Sequence, residues 1–253
     1  MKTKNNLTYS VEKFILLLIS LSEATMEKQK PIIELELYLI RHGQSQGNVG
    51  YDKENLTPQE QHDPILTEKG VKQAQLAGKH LADIDFDRVY SSGLLRAVKT
   101  ATEILKEQST EKPLYIFPHL AEAGLSAEYE TTLEIIHQIN DKAILSPELD
   151  QKTPLLIPSD NKDDAGLFKR ASFILEHLKE NFNNGEKIAL VCHAAFLTFI
   201  IFSIMGFTTE TPFYDINFAN TGITRVIFYK KGTNPYGDVV FDYINNTEHL
   251  GNI

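Results

Sequence analysis

The chain has 253 residues, 42% of them hydrophobic and 23% charged, with a formal net charge of −9. That length buries a sizeable core without disulfide staples, and the composition is that of an ordinary globular protein. The acidic balance disfavours a nucleic-acid partner, which calls for a basic face. The lone cysteine, Cys192, can build neither an intramolecular disulfide nor a cysteine zinc site. A cytoplasmic location is expected, and no apolar run approaches the ~18 residues of a membrane span.

Residues 1–30 read as an N-terminal extension. Lys2 and Lys4 precede the apolar run Phe14 to Ile19, a loose likeness to a signal peptide that Glu12, Lys13 and a weak cleavage region spoil. An extra amphipathic helix, or a true start at Met26, are the other readings. Residues 31–253 are expected to form one domain. Pro31 breaks any preceding helix. Ile33, Leu35, Leu37 and Leu39 then alternate with Glu34, Glu36 and Tyr38, a strand that ends at Arg41 and His42. Residues 43–63 are polar and turn-rich. A loop of that length in a compact domain is usually functional or disordered.

Thr67 is placed to cap a helix carrying Val71, Ala74, Leu76, Ala77 and Leu81 on one face, which ends at Asp83-Ile84-Asp85. A second strand, Phe86 to Tyr90, leads through Ser91-Ser92-Gly93 into a helix with Leu94, Leu95, Val98, Ala101 and Leu105, whose first turn holds Arg96. Leu114 to Phe117 is a third strand, closed by Pro118. Residues 131–140 have helical character, and residues 141–163 read as irregular. A further helix spans 164–182 and stops at Asn183-Asn184-Gly185. Lys187 to Cys192 is an apolar strand of the buried parallel type. It ends at His193, and an apolar helix runs from Ala194 to Gly206. Gly222 to Phe228 and Val239 to Tyr243 are the last two strands, with turn residues Gly232 to Pro235 between them. This alternation argues for one α/β domain, its central, mostly parallel sheet flanked by helices on both faces.

Three strand exits thus deliver Arg41 and His42, Arg96, and His193. In open α/β sheets the ligand binds outside the carboxyl ends of the strands. If these strands are parallel neighbours, two arginines and two histidines converge there. Each residue alone has an ordinary explanation: a surface histidine, a salt-bridged turn, an exposed helix arginine. Together they suit an anion, and arginine's planar fork suits a phosphate.

These residues resemble the histidine phosphatase superfamily, which includes the cofactor-dependent phosphoglycerate mutases. The likeness rests on Arg41-His42-Gly43 with Asn48, on Leu66-Thr67 through Gly70 to Gln73-Ala74, on Val89 to Ala97 with Thr100-Ala101, and on Leu190 to His193. Asn220 to Thr224, Asn246 and His249-Leu250 extend it to roughly residues 33–250. The resemblance implies a phosphoglycerate mutase-like fold and a phosphomonoesterase working through a phosphohistidine on His42. Its other ring nitrogen should donate to a backbone carbonyl, which leaves the attacking nitrogen unprotonated. Arg41, Arg96 and His193 would hold the phosphoryl oxygens, helped by Asn48 and the Ala194 N–H, so that no metal or other cofactor is required. Glu122 is the best match for the general acid, with Glu128 and Glu130 as rivals. The expected partner is a small phosphorylated molecule. The segment at about 119–165 is expected to shape its pocket, and that segment's acidic residues disfavour highly anionic substrates. A phosphoglycerate mutase, or a non-catalytic phosphate- or phosphoprotein-binding module, are the alternatives.

Overall fold

Strand β1 (Ile33–Arg41) is third from the antiparallel edge of a seven-stranded sheet and is buried on both faces along most of its length. The computed structural model describes residues 30–50, 57, 60–61, 63–124, 131–147, 149, 155, 163–211 and 215–253. The N-terminal extension expected at residues 1–30 lies outside them but for residue 30. The other strands are β2 (Arg88–Ser91), β3 (Leu114–Ile116), β4 (Ala143–Leu145), β5 (Glu186–Cys192), β6 (Ile223–Tyr229) and β7 (Val239–Asn246). Their spatial order is β4-β3-β2-β5-β1-β6-β7. Pairing is parallel from β4 through β1, and β6 and β7 add antiparallel to that edge.

The order explains the location of the site. The chain leaves β1, passes over to β2 and moves outward to β4. It returns to place β5 between β1 and β2. The exits of β1, β5 and β2 therefore lie side by side where the winding reverses, the place where α/β sheets form a crevice.

Helices α1 (Glu68–His80), α2 (Leu95–Lys106), α3 (Leu133–His137), α4 (Asp164–Asn181) and α5 (Ala194–Ile204) cover the two faces. Period-two alternation in β1 sends Leu35, Leu37 and Leu39 to one face, where they meet Ile174 and Leu178 of α4 and Phe196 and Ile200 of α5. Tyr38 and Ile40 face the other way, toward Ala77 of α1, Val98, Ala101 and Ile104 of α2 and Ile136 of α3. Helix α5 is apolar nearly all round because it lies between the sheet and α4.

Several sequence-based boundaries need correction. The segment read as irregular at 141–163 contains β4, a brief apolar run hidden between Asp141-Lys142 and Ser146-Pro147. Strand β2 starts at Arg88 rather than Phe86: the Phe86 N–H donates to the Gln108 side-chain oxygen at 3.3 Å, and the ladder with β5 begins at Arg88. The expected helix at 131–140 shortens to Leu133–His137, capped by the Thr132 hydroxyl. Pro118 opens a turn of 3₁₀ helix, Pro118–Leu120, which carries the chain to Glu122.

Candidate active site

The β1–β5 ladder runs one residue past β1: the His42 N–H donates to the Cys192 carbonyl at 3.0 Å. Arg41 pairs with Cys192 in register, so His42 and His193 leave adjacent strands at the same level. Their ring centroids are 5.1 Å apart, and both side chains are buried. From β2, the Ser92 N–H donates to the Val191 carbonyl at 3.2 Å, which brings the start of α2 and Arg96 to the same end.

The loop after His42 is held against the N-terminus of α1 by backbone contact. The Thr67 hydroxyl caps α1 by accepting from the Gly70 N–H at 3.0 Å, while its own N–H donates to the Gln44 carbonyl at 2.9 Å. Gln73 returns a bond, its Oε1 accepting from the Gln44 N–H at 2.9 Å. A Cβ on Gly70 would lie 1.9 Å from the Gln44 carbonyl oxygen, and one on Gly43 would lie 2.5 Å from that of Gly70. Both glycines thus permit a close approach that any side chain would block.

The hydrogen bonds of His42 define its tautomer. Nδ1 lies 2.7 Å from the Gly43 carbonyl oxygen, which can only accept, so Nδ1 carries the proton. Nε2 accepts from Arg96 Nε at 3.3 Å and is therefore unprotonated. Burial, reinforced by the charges of Arg96 and Arg41, holds the imidazole well below its ordinary range and keeps it neutral. His193 is held low by burial and by Arg96, His42, Arg170 and Arg41 in turn. Its Nε2 is 2.7 Å from Ser92 Oγ, and Oγ in turn accepts from the Leu94 N–H at 3.4 Å. The Ser92 hydroxyl can donate to Nε2 in the tautomer that carries its proton on Nδ1. Nδ1 is buried with no partner among the described residues, and in that tautomer it is a donor suited to an incoming anion.

The two arginines are anchored differently. Arg41 donates through Nη1 to the Phe218 carbonyl; burial lowers its pKa, with Glu122 opposing and Arg96 reinforcing that shift. Arg96 pairs with Asp63, Nη1 to Oδ1 at 3.1 Å. Asn48, on an exposed helical turn, uses Oδ1 to accept from the Ser45 N–H and from Asn220 Nδ2, each at 3.0 Å. Asn220 Nδ2 also reaches the His42 carbonyl at 3.2 Å. Ala194 opens α5 directly after His193. Glu122 lies at the same helix end: its Oε1 accepts from the Phe196 N–H at 3.0 Å and from the Ala123 N–H at 2.9 Å. Glu128 and Glu130 lie outside the described residues. The structure thus brings His42, Arg96 and His193 into one buried cluster, with Arg41 and Glu122 in electrostatic reach and Asn48 linked through Asn220.

Sequence reasoning gives no individual role to four residues of this cluster, although Thr100 and Thr221 fall within the segments that carry the resemblance. Asp63 was visible only as part of an Asp-Pro turn. Arg170, almost fully buried, donates through Nη2 to the Ala121 carbonyl at 3.1 Å and lies 3.8 Å above the Phe196 ring. Its signal was a charge three residues after Leu167 on the apolar face of α4. Thr100 accepts from the Gly43 N–H at 3.0 Å. Thr221 has φ 57° and donates its N–H to the Arg41 carbonyl at 3.1 Å, and no spacing rule points to it. No group of three or more metal-ligating side chains occurs among the described residues, and none of their helices is long and apolar enough to cross a membrane.

The sequence profile of the histidine phosphatase superfamily (branch 1) matches residues 37–235. A 2,3-bisphosphoglycerate-dependent phosphoglycerate mutase from Bartonella quintana is 29% identical over 184 residues, 69% of this chain and 83% of the mutase. A fructose-2,6-bisphosphatase TIGAR from Xenopus laevis is 36% identical over 88 residues, only 30% of that protein's length and 34% of this chain. The match to a second mutase, from Bartonella bacilliformis, likewise spans 34% of its length. Among solved structures, a phosphoserine phosphatase from Entamoeba histolytica in complex with 3-phosphoglyceric acid superposes with TM-score 0.56 at 27% identity, covering 85% of this chain and 99% of that one.

Proposed function

Since the chain belongs to the histidine phosphatase superfamily, we propose that it is a metal-independent phosphatase that hydrolyses small phosphomonoesters through a phosphohistidine on His42. The observation that carries this reading is the state of His42: Nδ1 is protonated on the Gly43 carbonyl and a bare Nε2 faces Arg96. Such a nitrogen is a nucleophile at neutral pH without a separate base.

In the proposed reaction the Nε2 lone pair attacks phosphorus and the bond to the leaving oxygen breaks. Arg41, Arg96, His193 Nδ1, Asn48 and the Ala194 N–H hold the non-bridging oxygens and offset the charge that accumulates on them. Glu122 gives a proton to the departing alkoxide from Oε2, while Oε1 stays on the Phe196 and Ala123 N–H groups. Water then attacks phosphorus, the Glu122 carboxylate takes its proton, and the P–N bond breaks to free phosphate and His42. The same reading treats residues 31–253 as one catalytic domain and the segment at 119–165 as the part that selects the substrate. It also assigns the chain to the cytoplasm.

A second reading, phosphoglycerate mutase, is favoured by the Bartonella quintana relative, the longest of the sequence matches above. A mutase must keep the phosphohistidine from water long enough to return the phosphoryl group. The test is one panel of sugar phosphates, nucleotides, phosphoglycerates, phosphoserine and phosphopeptides, with phosphate release and phosphoglycerate isomerisation measured in parallel. Release without isomerisation supports the phosphatase, and isomerisation outrunning release supports the mutase. Phosphate binding with neither would leave a binding module.

A further inference from the structure

The carboxylate of Asp63 is fully buried at the edge of the cluster, and the reaction above gives it no part. Its two oxygens are held by successive residues of α2. Oδ2 accepts from the Leu95 N–H at 2.8 Å, and Oδ1 accepts from Arg96 Nη1 at 3.1 Å. One carboxylate therefore ties the Arg96 side chain to the first turn of its own helix. A guanidinium is planar and rigid, so fixing Nη1 also fixes the direction of Nε. Arg96 Nε is the group that meets His42 Nε2 at 3.3 Å. A chain of contacts thus runs from Asp63, through Arg96, to the attacking nitrogen.

Resting on the reading of this cluster as a phosphate site, we propose that Asp63 is a positioning residue: it aims Arg96 at His42, and it takes up a proton when phosphate enters the clamp. The charged and polar groups facing Asp63 among the described residues are few. Arg96 and the Leu95 N–H come from α2, and the Thr131 hydroxyl comes from the segment before α3. Burial outweighs all three and lifts the carboxyl to about 6. A phosphate dianion on the same guanidinium adds negative charge beside an already disfavoured carboxylate. The cheapest response is protonation from solvent, which keeps the hydrogen bond from Leu95 and removes the repulsion. The competing explanation is that Asp63 only caps α2.

A double-mutant cycle on kcat separates the two. Asp63→Asn should lower kcat by about tenfold with wild-type Arg96, and by less than about twofold in the Arg96→Ala background, because contacting residues couple. An equal loss in both backgrounds makes Asp63 a cap and overturns the positioning role. Calorimetry of inorganic phosphate binding at about pH 7, in two buffers of different ionisation enthalpy, reads the proton. Wild type should take up more protons per phosphate than Asp63→Asn, since phosphate's own ionisation is common to both; equal uptake overturns the charge role. If Asp63→Asn does not fold, Asp63→Glu serves: it should keep the proton uptake yet lose kcat, and unchanged kcat would sink the proposal. A wild type that binds phosphate with this uptake but hydrolyses no monoester refutes the phosphatase reading alone. One that binds no phosphate refutes both.

Discussion

Replacing Glu122 with glutamine changes one atom of the site and should change only one class of substrate. Oε1 of Glu122 holds the Phe196 and Ala123 N–H groups at 3.0 and 2.9 Å, and the amide oxygen of glutamine can accept both bonds. The side chain should keep its place, with an NH₂ group where Oε2 stood. With both cap bonds on α5 kept, folding stability should change by about 1 kcal/mol or less, so a melt should shift by only a few degrees. The catalytic loss is larger, since a positioned general acid contributes about 10²–10⁴-fold, or roughly 3–5 kcal/mol in the barrier. It falls on alkyl phosphates, whose alkoxides cannot leave unprotonated. Nitrophenyl phosphate, whose phenolate departs as an anion, should be slowed by less than about tenfold. The assay is steady-state kcat/KM for Glu122→Gln and wild type on both substrates. Equal slowing of the two would refute the role of Glu122 and move the acid to Glu128 or Glu130.

Other expectations follow from the same contacts. Gly70→Ala places a methyl group 1.9 Å from the Gln44 carbonyl oxygen, so the loop carrying His42 must move; we expect about 1–3 kcal/mol of destabilisation by denaturant titration and a matching fall in turnover. The site also leaves opposing marks on stability against pH. His42 and His193 are held below their ordinary range, so the unfolded chain binds protons that the native one does not, and stability present above about pH 6.5 is lost as pH falls. Asp63 is raised from 3.8 to about 6, so its native state binds the extra proton and its contribution, full below pH 3.8, fades as pH rises through 6. The stability of wild type minus that of Asp63→Asn should therefore fall by up to about 3 kcal/mol over that window, and a flat difference in denaturant midpoints would contradict it.

The sequence made the strand exits legible because two apolar runs stop at Arg41-His42 and at His193, and a third leads through a Ser-Ser-Gly turn to Arg96 in the next helix. Arg41-His42, Arg96 and His193 were found that way, without any knowledge that β5 lies between β1 and β2. The parallel sheet and its two helical faces followed from the alternation of periods two and 3.6. Strand β4 escaped because Ala143–Leu145 is a brief apolar run between Asp141-Lys142 and Ser146-Pro147, in a stretch dominated by turn and charged residues. Asp63 and Thr221 escaped for a different reason. Their roles come from partners far away in the chain, Arg96 at 33 residues and Arg41 at 180, and an Asp before a proline or a Thr before a glycine has many local explanations. Arg170 was in view, since a cation within the apolar stripe of α4 signals either a misassigned face or a buried charge with a purpose.

The nucleophile is the claim on which the rest depends. Rapid quenching of the enzyme with a ³²P-labelled phosphomonoester should trap a phosphoenzyme that is labile in acid and stable in base, with the label on His42. His42→Ala should show neither the label nor turnover. Label on another residue, or turnover that survives in His42→Ala, would contradict the account.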